Sequence, residues 1–335
     1  MSVVVLAYGA EPLLEECVQS VLSSTGVQPE VLLVDNGAAG DEVDRLEGLP
    51  GLRVLRPGEN TGFAGGCNLG AAAATSDLIA FVNSDAVVRP DALAALARTC
   101  ADPAVGLASA SLRLYDQPEV MNSAGNPVHY LGVSWAGGLG EPASEHARAT
   151  TITSVTGAAV MCRRETWERL GGFCAEMFAY CEDAELSLRT WQLGLQVRYV
   201  PDAVVLHHYE FSRNDLKMYL LERNRLFLLL TLYERRTLLA LLPALLGLEL
   251  AVLALSVAQG WWRQKVRGWW WLVRNRSTVR SRRQQVQAAR RVPDRDLLHL
   301  FTARFEPGAE SGMRTPPVLD AGSRFYWKIV RQIVR

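Results

Sequence analysis

Residues 78–93 read LIAFVNSDAVVRPDAL, and this stretch decides the fold. Its first five residues are apolar, the polar triplet Asn83-Ser84-Asp85 follows at once, and Pro90 then opens a helical pattern. A short apolar run that ends at polar turn residues is typical of a strand buried on both faces. Such a strand needs helices above and below it, so the stretch predicts an α/β fold with a mostly parallel sheet.

The same unit of strand and helix recurs upstream of this stretch. Apolar runs with strand character cover residues 2–7, 31–34 and 53–55. Parallel sheets bind ligands beyond the carboxyl ends of their strands. The residues at or just after these ends are Tyr8, Asp35, Gly62 and Asp85. We therefore predict a nucleotide site at this edge of the sheet.

The composition indicates a globular protein with an uneven charge distribution. Hydrophobic residues make up 49% of the 335 residues, which excludes global disorder. The net charge is zero, yet residues 259–335 carry 17 Lys or Arg against 5 Asp or Glu. The six cysteines show no CxxC spacing, and the chain starts with a strand pattern rather than that of a signal peptide. We expect reduced thiols and a catalytic part in the cytoplasm.

Several carboxylates and histidines have both a chemical and a structural interpretation. Asp85 is placed either to hold a divalent cation or to cap the helix that follows. Glu182 and Asp183 begin a predicted helix, where a carboxylate serves either as a cap or as a general base. His207 and His208 follow a strand, and either a metal ligand or a core histidine fits that place. The residues taken singly leave these alternatives open.

Seven stretches, occurring in a fixed order, carry a resemblance to a known family. They read VVVLAYGAEPLLEECVQSVLSS, VLLVDNGAAGDE, ENTGFAGGCNLGAAAA, LIAFVNSDAVVRPDAL, TGAAVMCRRETWERLGGF, FAYCEDAELSLR and VVLHHYEFSRN. In them the sequence resembles the glycosyltransferase family 2 enzymes of GT-A fold, in particular the bacterial rhamnosyltransferase-like members. The resemblance implies a Rossmann-like, mostly parallel sheet flanked by helices, and a nucleotide-sugar donor.

The resemblance also implies roles for residues on the donor side. Ala7 and Tyr8 match the end of the first strand, which lines the base, and Asp35 matches the acidic residue that reads the nucleobase or ribose. The loop of residues 62–68, including Gly62, Gly65 and Asn68, matches the segment packed near the nucleoside. Asn83-Ser84-Asp85 matches the family's DxD position, with Asn83 in place of the first aspartate. That departure leaves Asp85 as the main carboxylate for Mn²⁺ or Mg²⁺.

On the catalytic side the resemblance implies fewer residues. Asp183 matches the base of the family's ED pair, and Gly157, Gly172 and Glu182 match acceptor-side positions. His207 matches a late histidine that completes metal coordination in some members, although the adjacent His208 leaves the register open. One base without an enzyme nucleophile implies inversion at the anomeric carbon.

The last third of the chain differs in kind. Residues 238–258 form an apolar run of 21 residues with one charge, Glu249, and one proline, Pro243. Five tryptophans and ten basic residues follow within residues 259–291, and no acidic residue lies among them. The run is long enough to span a bilayer, and the alternative is a long helix packed on the catalytic domain. Clustered tryptophan and arginine predict an anionic membrane surface as the partner, rather than nucleic acid.

These observations combine into one prediction. We expect a GT-A domain over residues 1–232, with a donor half to about residue 110 and an acceptor half after it. A helical membrane-associating segment (residues 233–292) and a tail (residues 293–335) follow. The function predicted is inverting transfer of a sugar, with rhamnose as the candidate, to a lipid-linked or cell-surface glycan at the cytoplasmic face of the membrane. The alternatives are an inactive GT-A scaffold and a sugar nucleotidyltransferase, and association into a homodimer is left open.

Overall fold

The computed structural model describes residues 1–208, 214–306 and 316–334. Its first part alternates strands and helices, as the apolar runs predict. The elements are β1 (Ser2–Gly9), α1 (Leu14–Leu22), β2 (Glu30–Ala38), α2 (Glu42–Leu46), β3 (Leu52–Leu55), α3 (Gly62–Ala73), β4 (Leu78–Asn83), β5 (Ala86–Val88) and α4 (Ala92–Cys100).

The middle part completes the sheet and adds the helices that face the site. Its elements are β6 (Val105–Leu114), β7 (Gln117–Ser123), β8 (Thr150–Thr151), β9 (Ala159–Arg163), α5 (Arg164–Leu170), α6 (Glu182–Gln192), β10 (Gln196–His207) and α7 (Asp215–Leu232). The last part of the described chain is mainly helical, and residues 290–293 and 301–306 lie outside its helices. These helices are α8 (Arg235–Ala258), α9 (Trp262–Arg274), α10 (Arg276–Ala289), α11 (Asp294–Leu297) and α12 (Pro317–Val334).

The strands form one sheet in the order β3-β2-β1-β4-β9-β6-β10-β5. The four strands from β3 to β4 are parallel, which confirms the prediction for the donor half. Beyond them the sheet is mixed, because β9 runs antiparallel to both β4 and β6. The apolar runs of residues 196–200 and 203–206 form a single strand, β10. Its register with β6 shifts between Val200 and Val204.

Two apolar layers cover the sheet, and a third core lies beside it. One layer contains the inner faces of α1 and α4, and the other contains those of α3 and α5. The third core joins α6 and α7 to the C-terminal helices, with Leu228, Leu241, Val286 and Trp327 among its buried members. The predicted boundary at residue 232 falls between α7 and α8, but apolar packing continues across it. A chain ending near residue 233 would expose this third core to water.

A pair of substitutions in α12 tests whether the C-terminal helix belongs to the folded unit. Trp327 is 5% exposed and stacks on Tyr130 with 4.7 Å between ring centroids, whereas Phe325 is 67% exposed. We expect Trp327→Ala to lower the free energy of unfolding by about 3–5 kcal/mol, because it leaves a cavity. Phe325→Ala, the matched control, should change it by less than about 0.5 kcal/mol. Equal small changes in denaturant titrations would show that α12 does not pack as described.

Candidate functional site

The carboxyl ends of β1 and β2 form the donor side of the predicted site. Ala7 lies in register with Asp35, and the Tyr8 side chain beyond them is 56% exposed. The Tyr8 ring lies beside Gly37, where an added Cβ would come within 3.7 Å of it. One oxygen of Asp35 accepts hydrogen bonds from the backbone N–H groups of Gly37 and Ala38, at 3.2 and 3.0 Å. Asp35 thus shapes its own turn, and the open Tyr8 ring offers a flat apolar face for a base.

Asn36 organises the loop that enters α3. Its side chain is 1% exposed, and its Oδ1 accepts hydrogen bonds from the backbone and the hydroxyl of Thr61, both at 2.8 Å. Its Nδ2 donates to Asn60 Oδ1 at 3.0 Å and to the carbonyl of Gly62. In the structure Asn36 fixes the position of Gly62 at the helix entrance.

The glycines of α3 divide into two groups by what they approach. Gly66 and Gly70 face β1, where a Cβ would overlap the side chains of Leu6 and Val4. Gly62 has φ +73° and meets the backbone and ring of Phe178, so a side chain there is excluded on two counts. Gly65 lies on the other side of the helix, beside Thr61. Its predicted contact with the donor stays a prediction.

Asn68 and Gly172 join the donor half to the acceptor half. The Asn68 side chain donates to the carbonyl of Phe173 at 3.0 Å and accepts from its N–H at 2.9 Å. Gly172 has φ +74°, and a Cβ on it would meet Asn68 Oδ1 at 2.6 Å. These contacts account for both residues as a brace between α3 and the segment after α5. Any direct contact of either residue with substrate stays a prediction.

The structure brings Asp85, which follows β4, together with His207, the last residue of β10. Asp85 Oδ1 lies 3.2 Å from His207 Nε2, and His207 Nδ1 lies 2.9 Å from Asn122 Oδ1. His208 instead donates its backbone N–H to the carbonyl of Asp85, and its ring meets Tyr115 edge-on. His207, rather than His208, therefore presents its imidazole to Asp85.

This pair has the chemistry of a partial metal site. Asn122 orients the His207 ring as outer partners of metal-ligating histidines commonly do. A carboxylate and an imidazole suit Mn²⁺ or Mg²⁺ when substrate oxygens supply the remaining ligands. Among residues 1–208, 214–306 and 316–334, no group of three or more His, Cys, Asp or Glu is arranged to hold a metal. The rest of the predicted HHYEFSRN stretch, residues 209–213, lies outside the described residues.

Asp183 and Glu182 begin α6 next to this edge. Asp183 Oδ2 lies 3.3 Å from the backbone N of Gly157 and 3.4 Å from Asn126 Nδ2, so both groups donate to it. Gly157 in turn precedes Ala158, whose carbonyl accepts the N–H of Asn83 at 2.9 Å. The predicted base and the predicted metal edge are thereby connected within a few residues.

The two carboxyls differ in their electrostatic surroundings. Burial raises the pKa of Asp183, and the N–H groups of Ala184 and Gly157 partly oppose this. Burial together with the neighbouring Asp183 raises the pKa of Glu182 well above its usual value. The Glu182 side chain is 6% exposed, and its Oε2 has no hydrogen-bond partner among the described residues. Burial and the adjacent carboxylate thus favour the neutral form of Glu182, whereas N–H donors stabilise the charged form of Asp183.

The loop before α6 is strained and is held from outside. Within the described chain, the non-glycine residues with positive φ are Phe178, Tyr180 and Cys181. Such backbone is costly unless neighbouring structure enforces it. Asn224 of α7 supplies the enforcement, because its Nδ2 lies 2.7–2.9 Å from the carbonyl oxygens of Met177, Ala179 and Tyr180.

Arg223 holds the first part of the same loop. Its Nη2 donates to the carbonyls of Glu176 and Met177 at 2.9 and 2.7 Å. Its guanidinium also lies over the ring of Trp271, 4.7 Å from the ring centroid. A residue of α9 therefore packs against Arg223. The pair Arg223 and Asn224 therefore sets where Asp183 begins its helix.

A buried ion-pair group fixes the other end of the first turn of α6. Glu185 is fully buried, and Arg189 and Arg282 each bind it at 2.6 Å. Burial alone would raise the pKa of Glu185, but the two guanidinium groups lower it overall. Arg282 belongs to α10, so the basic C-terminal part supplies a charge to the catalytic helix.

The sequence did not identify these supporting residues, because their contacts join segments that are far apart in the chain. The residues in question act through backbone, side-chain or ion-pair contacts across long chain separations, and they are Asn36, Asn126, Arg223, Asn224 and Arg282. One signal was present for α7: the polar pair Arg223-Asn224 interrupts the apolar run of LLERNRLFLLL. Polar residues in an apolar helix face require buried partners.

Comparison with known proteins points to one family. A model described as "Glycosyl transferase family 2" matches residues 2–171. A pre-mycofactocin glycosyltransferase of Mycobacterium tuberculosis is 31% identical over 188 residues, which are 55% of this chain and 38% of that protein. An N-acetylglucosaminyl-diphospho-decaprenol L-rhamnosyltransferase of the same organism is 28% identical over 236 residues, covering 63% of this chain and 77% of that protein. The chain thus matches well under half of the length of the first relative.

Solved structures share the fold at low sequence identity. GalNAc-T7 with UDP, GalNAc and Mn²⁺ aligns with a TM-score of 0.57 at 16% identity, over 72% of this chain and 50% of that one. A mannosyltransferase of Pyrobaculum calidifontis in complex with GDP-Man and Mn²⁺ aligns with a TM-score of 0.51 at 18% identity, over 99% and 85%. At these identities the likeness shows the fold, and it confirms the predicted GT-A architecture.

Substitution of Asn224 tests whether α7 positions the base. Asn224→Leu keeps the volume but leaves the carbonyls of Ala179 and Tyr180 without their donor, whereas Met177 keeps Arg223. We therefore expect a loss of about 1–3 kcal/mol in unfolding free energy. Because Asp183 shifts with the loop, turnover should fall about 10²-fold while donor affinity is retained.

The control is Thr231→Val at the other end of α7, where the hydroxyl donates to the carbonyl of Phe227 at 2.8 Å. That variant removes a hydrogen bond of α7 without touching the loop, and its turnover should stay near that of the parent. Similar turnover in both variants would refute a positioning role for Asn224.

Proposed function

The chain belongs to glycosyl transferase family 2, and on that premise we propose that it transfers a sugar from a nucleotide-diphosphate donor to a hydroxyl acceptor. The observation that carries this proposal is the placement of Asp183. Its carboxylate accepts hydrogen bonds from Gly157 and Asn126, and Ala158, the residue after Gly157, accepts the N–H of Asn83 at the strand end that leads to the Asp85–His207 pair. Neither a nucleotidyltransferase nor an inactive scaffold requires a carboxylate that is positioned to act as a base.

The proposed mechanism is a direct displacement with inversion. Asp183 takes the proton of the acceptor hydroxyl, the acceptor oxygen bonds to the anomeric carbon, and the bond to the diphosphate oxygen breaks with its electron pair. Gly157 and Asn126 hold the receiving oxygen of Asp183 in place. Glu182 keeps its proton and stays neutral beside it. Asp85 and His207 are the residues that would hold a divalent cation, which neutralises charge on a leaving diphosphate when bound.

We also propose the identity of the substrates at a finer level. One relative carries the name N-acetylglucosaminyl-diphospho-decaprenol L-rhamnosyltransferase, and this supports rhamnose as the sugar and a lipid-linked glycan as the acceptor. The apolar helix α8 and the arginines of α9 support a location at the cytoplasmic face of a membrane, where such an acceptor is found.

The base assignment predicts a specific loss and a specific pH dependence. Asp183→Asn should bind donor normally and lose about 10²–10⁴-fold in turnover, because an amide accepts no proton. Since burial raises the pKa of Asp183, activity should fall with decreasing pH through a value above the ordinary 3.9 or so of aspartate. Glu182→Gln should retain far more activity. Near-normal turnover of Asp183→Asn would transfer the base role to Glu182.

A donor panel tests the proposed function and its metal requirement. The purified protein is incubated with nucleotide sugars, an N-acetylglucosaminyl-diphospho-lipid acceptor and Mn²⁺, and the product is analysed by mass spectrometry and NMR. We expect one glycosyl addition with an inverted anomeric configuration, from a rhamnose donor. Retention of configuration would exclude the mechanism, and another sugar would exclude rhamnose. No transfer from any donor would favour the scaffold.

In the metal arm, chelator should abolish transfer and Mn²⁺ or Mg²⁺ should restore it. Asp85→Ala should stay defective at any metal concentration, whereas the exposed Asp91→Ala, which removes the same charge, should behave as the parent. Full activity in chelator would mean that Asn83 marks a metal-independent member of the family.

A further inference from the structure

The helix α8 has an outward face without a polar group. From Leu239 to Ala258 every exposed residue is apolar, and the exposed side chains are those of Leu239, Leu242, Pro243, Leu246, Leu250, Ala251, Ala254, Leu255, Val257 and Ala258. The stripe from Leu239 to Ala258 covers 20 residues and is about 30 Å long. A stripe of that length is larger than the apolar patches that soluble monomers usually expose.

The inward face of α8 carries Glu249, the one charged residue of residues 238–258. Glu249 is 9% exposed, binds Lys265 at 2.7 Å and also pairs with Arg225. The indole Nε1 of Trp269 donates to its second oxygen at 2.6 Å. Leu241 is buried on the same inward side, so α8 is apolar on both faces and its single carboxylate, Glu249, points inward rather than toward water as on an ordinary surface helix. Water is therefore a poor solvent for the outer face.

The helix α9 carries a second exposed stripe with a basic border. Trp262, Val266, Trp270 and Val273 are 40–63% exposed and recur at helical spacing. Exposed arginines alternate with them at positions Arg263, Arg267 and Arg274. Tryptophan next to arginine on one helix face is typical of helices that lie in a bilayer interface.

The helix α12 adds a third stripe next to α8. The hydroxyl of Tyr326 in α12 donates a hydrogen bond to the carbonyl of Ala240 in α8 at 2.7 Å, and this bond joins the two helices. On the side away from the core, Phe325, Ile329 and Ile333 are 67, 37 and 46% exposed. The helix α8 and its two neighbours α9 and α12 thus each present apolar side chains outward.

The buried charges decide how α8 can meet a membrane. If α8 crossed a bilayer, Glu249 near its middle would leave Arg225 and Lys265 and enter hydrocarbon. Lys265 is fully buried and Arg225 is 5% exposed, so both would lose one of their two carboxylate partners, Glu249, and keep Glu222. Breaking a buried group of this kind is strongly unfavourable.

We propose that α8 lies in the plane of an anionic membrane surface, docked through Glu249 to α7 and α9, with the outer stripes of α8, α9 and α12 in contact with lipid. This deepens the membrane location proposed above and rests on it, but it requires no particular sugar or acceptor. A second copy of the chain is a poorer occupant, because residues 259–291 offer ten basic residues and no acid to face the arginines. An anionic headgroup layer supplies that counter-charge.

Vesicle flotation of the full chain tests the surface. The protein should float with vesicles that contain phosphatidylglycerol and bind neutral phosphatidylcholine vesicles less. The double variant Leu246→Glu, Leu250→Glu should bind at least about tenfold more weakly, because it removes apolar contact from the stripe and adds like charge. The control Ala101→Glu, Ala104→Glu adds the same charge at exposed positions after α4 and should bind as the parent.

Both double variants should show the parent's thermal shift with nucleotide, which separates this proposal from the catalytic one. Loss of vesicle binding with nucleotide binding intact supports the surface. Unchanged vesicle binding of the Leu246→Glu, Leu250→Glu variant overturns it. A dimeric parent that ignores vesicles, together with a monomeric leucine variant, also overturns it and assigns the stripe to a second copy.

A protease test distinguishes lying from spanning. The protein, with a tag after Arg335, is added to sealed anionic vesicles. A helix in the surface plane leaves α9 to α12 on the same side as the catalytic part, so the tag should be cleaved equally with and without detergent. A tag protected until detergent is added would show that α8 crosses the bilayer and would overturn the proposal.

Discussion

The hydrogen bonds from Arg223 and Asn224 to the carbonyls of residues 176–180 are the constraint on which the site depends. They hold Phe178, Tyr180 and Cys181 in left-handed backbone that these residues rarely adopt. The same loop touches Gly62 on the donor side, where the carbonyl of Phe178 accepts the N–H of Ala64 at 3.0 Å. One strained segment therefore links the loop that enters α3 to the start of α6 and the Asp183 carboxylate.

The helix α7 carries this constraint and connects it to the C-terminal part of the chain. Trp271 of α9 covers Arg223, and Arg282 of α10 neutralises Glu185 behind the base. The C-terminal helices are thus structural partners of the catalytic domain rather than an attached anchor. The charges that dock α8 are buried next to α7 as well, so the proposed membrane surface and the site share one supporting helix.

The donor edge of the sheet contains exposed residues that a ligand could contact and buried residues that support them. The residues expected from the family resemblance, such as Tyr8 and Asp85, lie at the open edge where a ligand can reach them. Behind them lie the buried side chains of Asn36, which hydrogen-bonds Thr61 and Gly62, and of Asn122, which contacts His207. The pairing of His207 with Asp85, and the position of His208 against Tyr115, follow from the alternation of side chains along β10.

The amino-acid sequence alone predicts the parallel donor half and the residues at its strand ends, because buried strands leave local apolar patterns. It also determined that residues 238–258 form one long apolar helix. Only the tertiary structure decided which face of that helix points outward, since Arg225 and Lys265 are distant in sequence from Glu249. The antiparallel insertion of β9 and the hold of Asn224 on the loop before Asp183 were likewise beyond local patterns. Both depend on pairing between segments far apart in the chain, and a short window of sequence carries no record of such pairing.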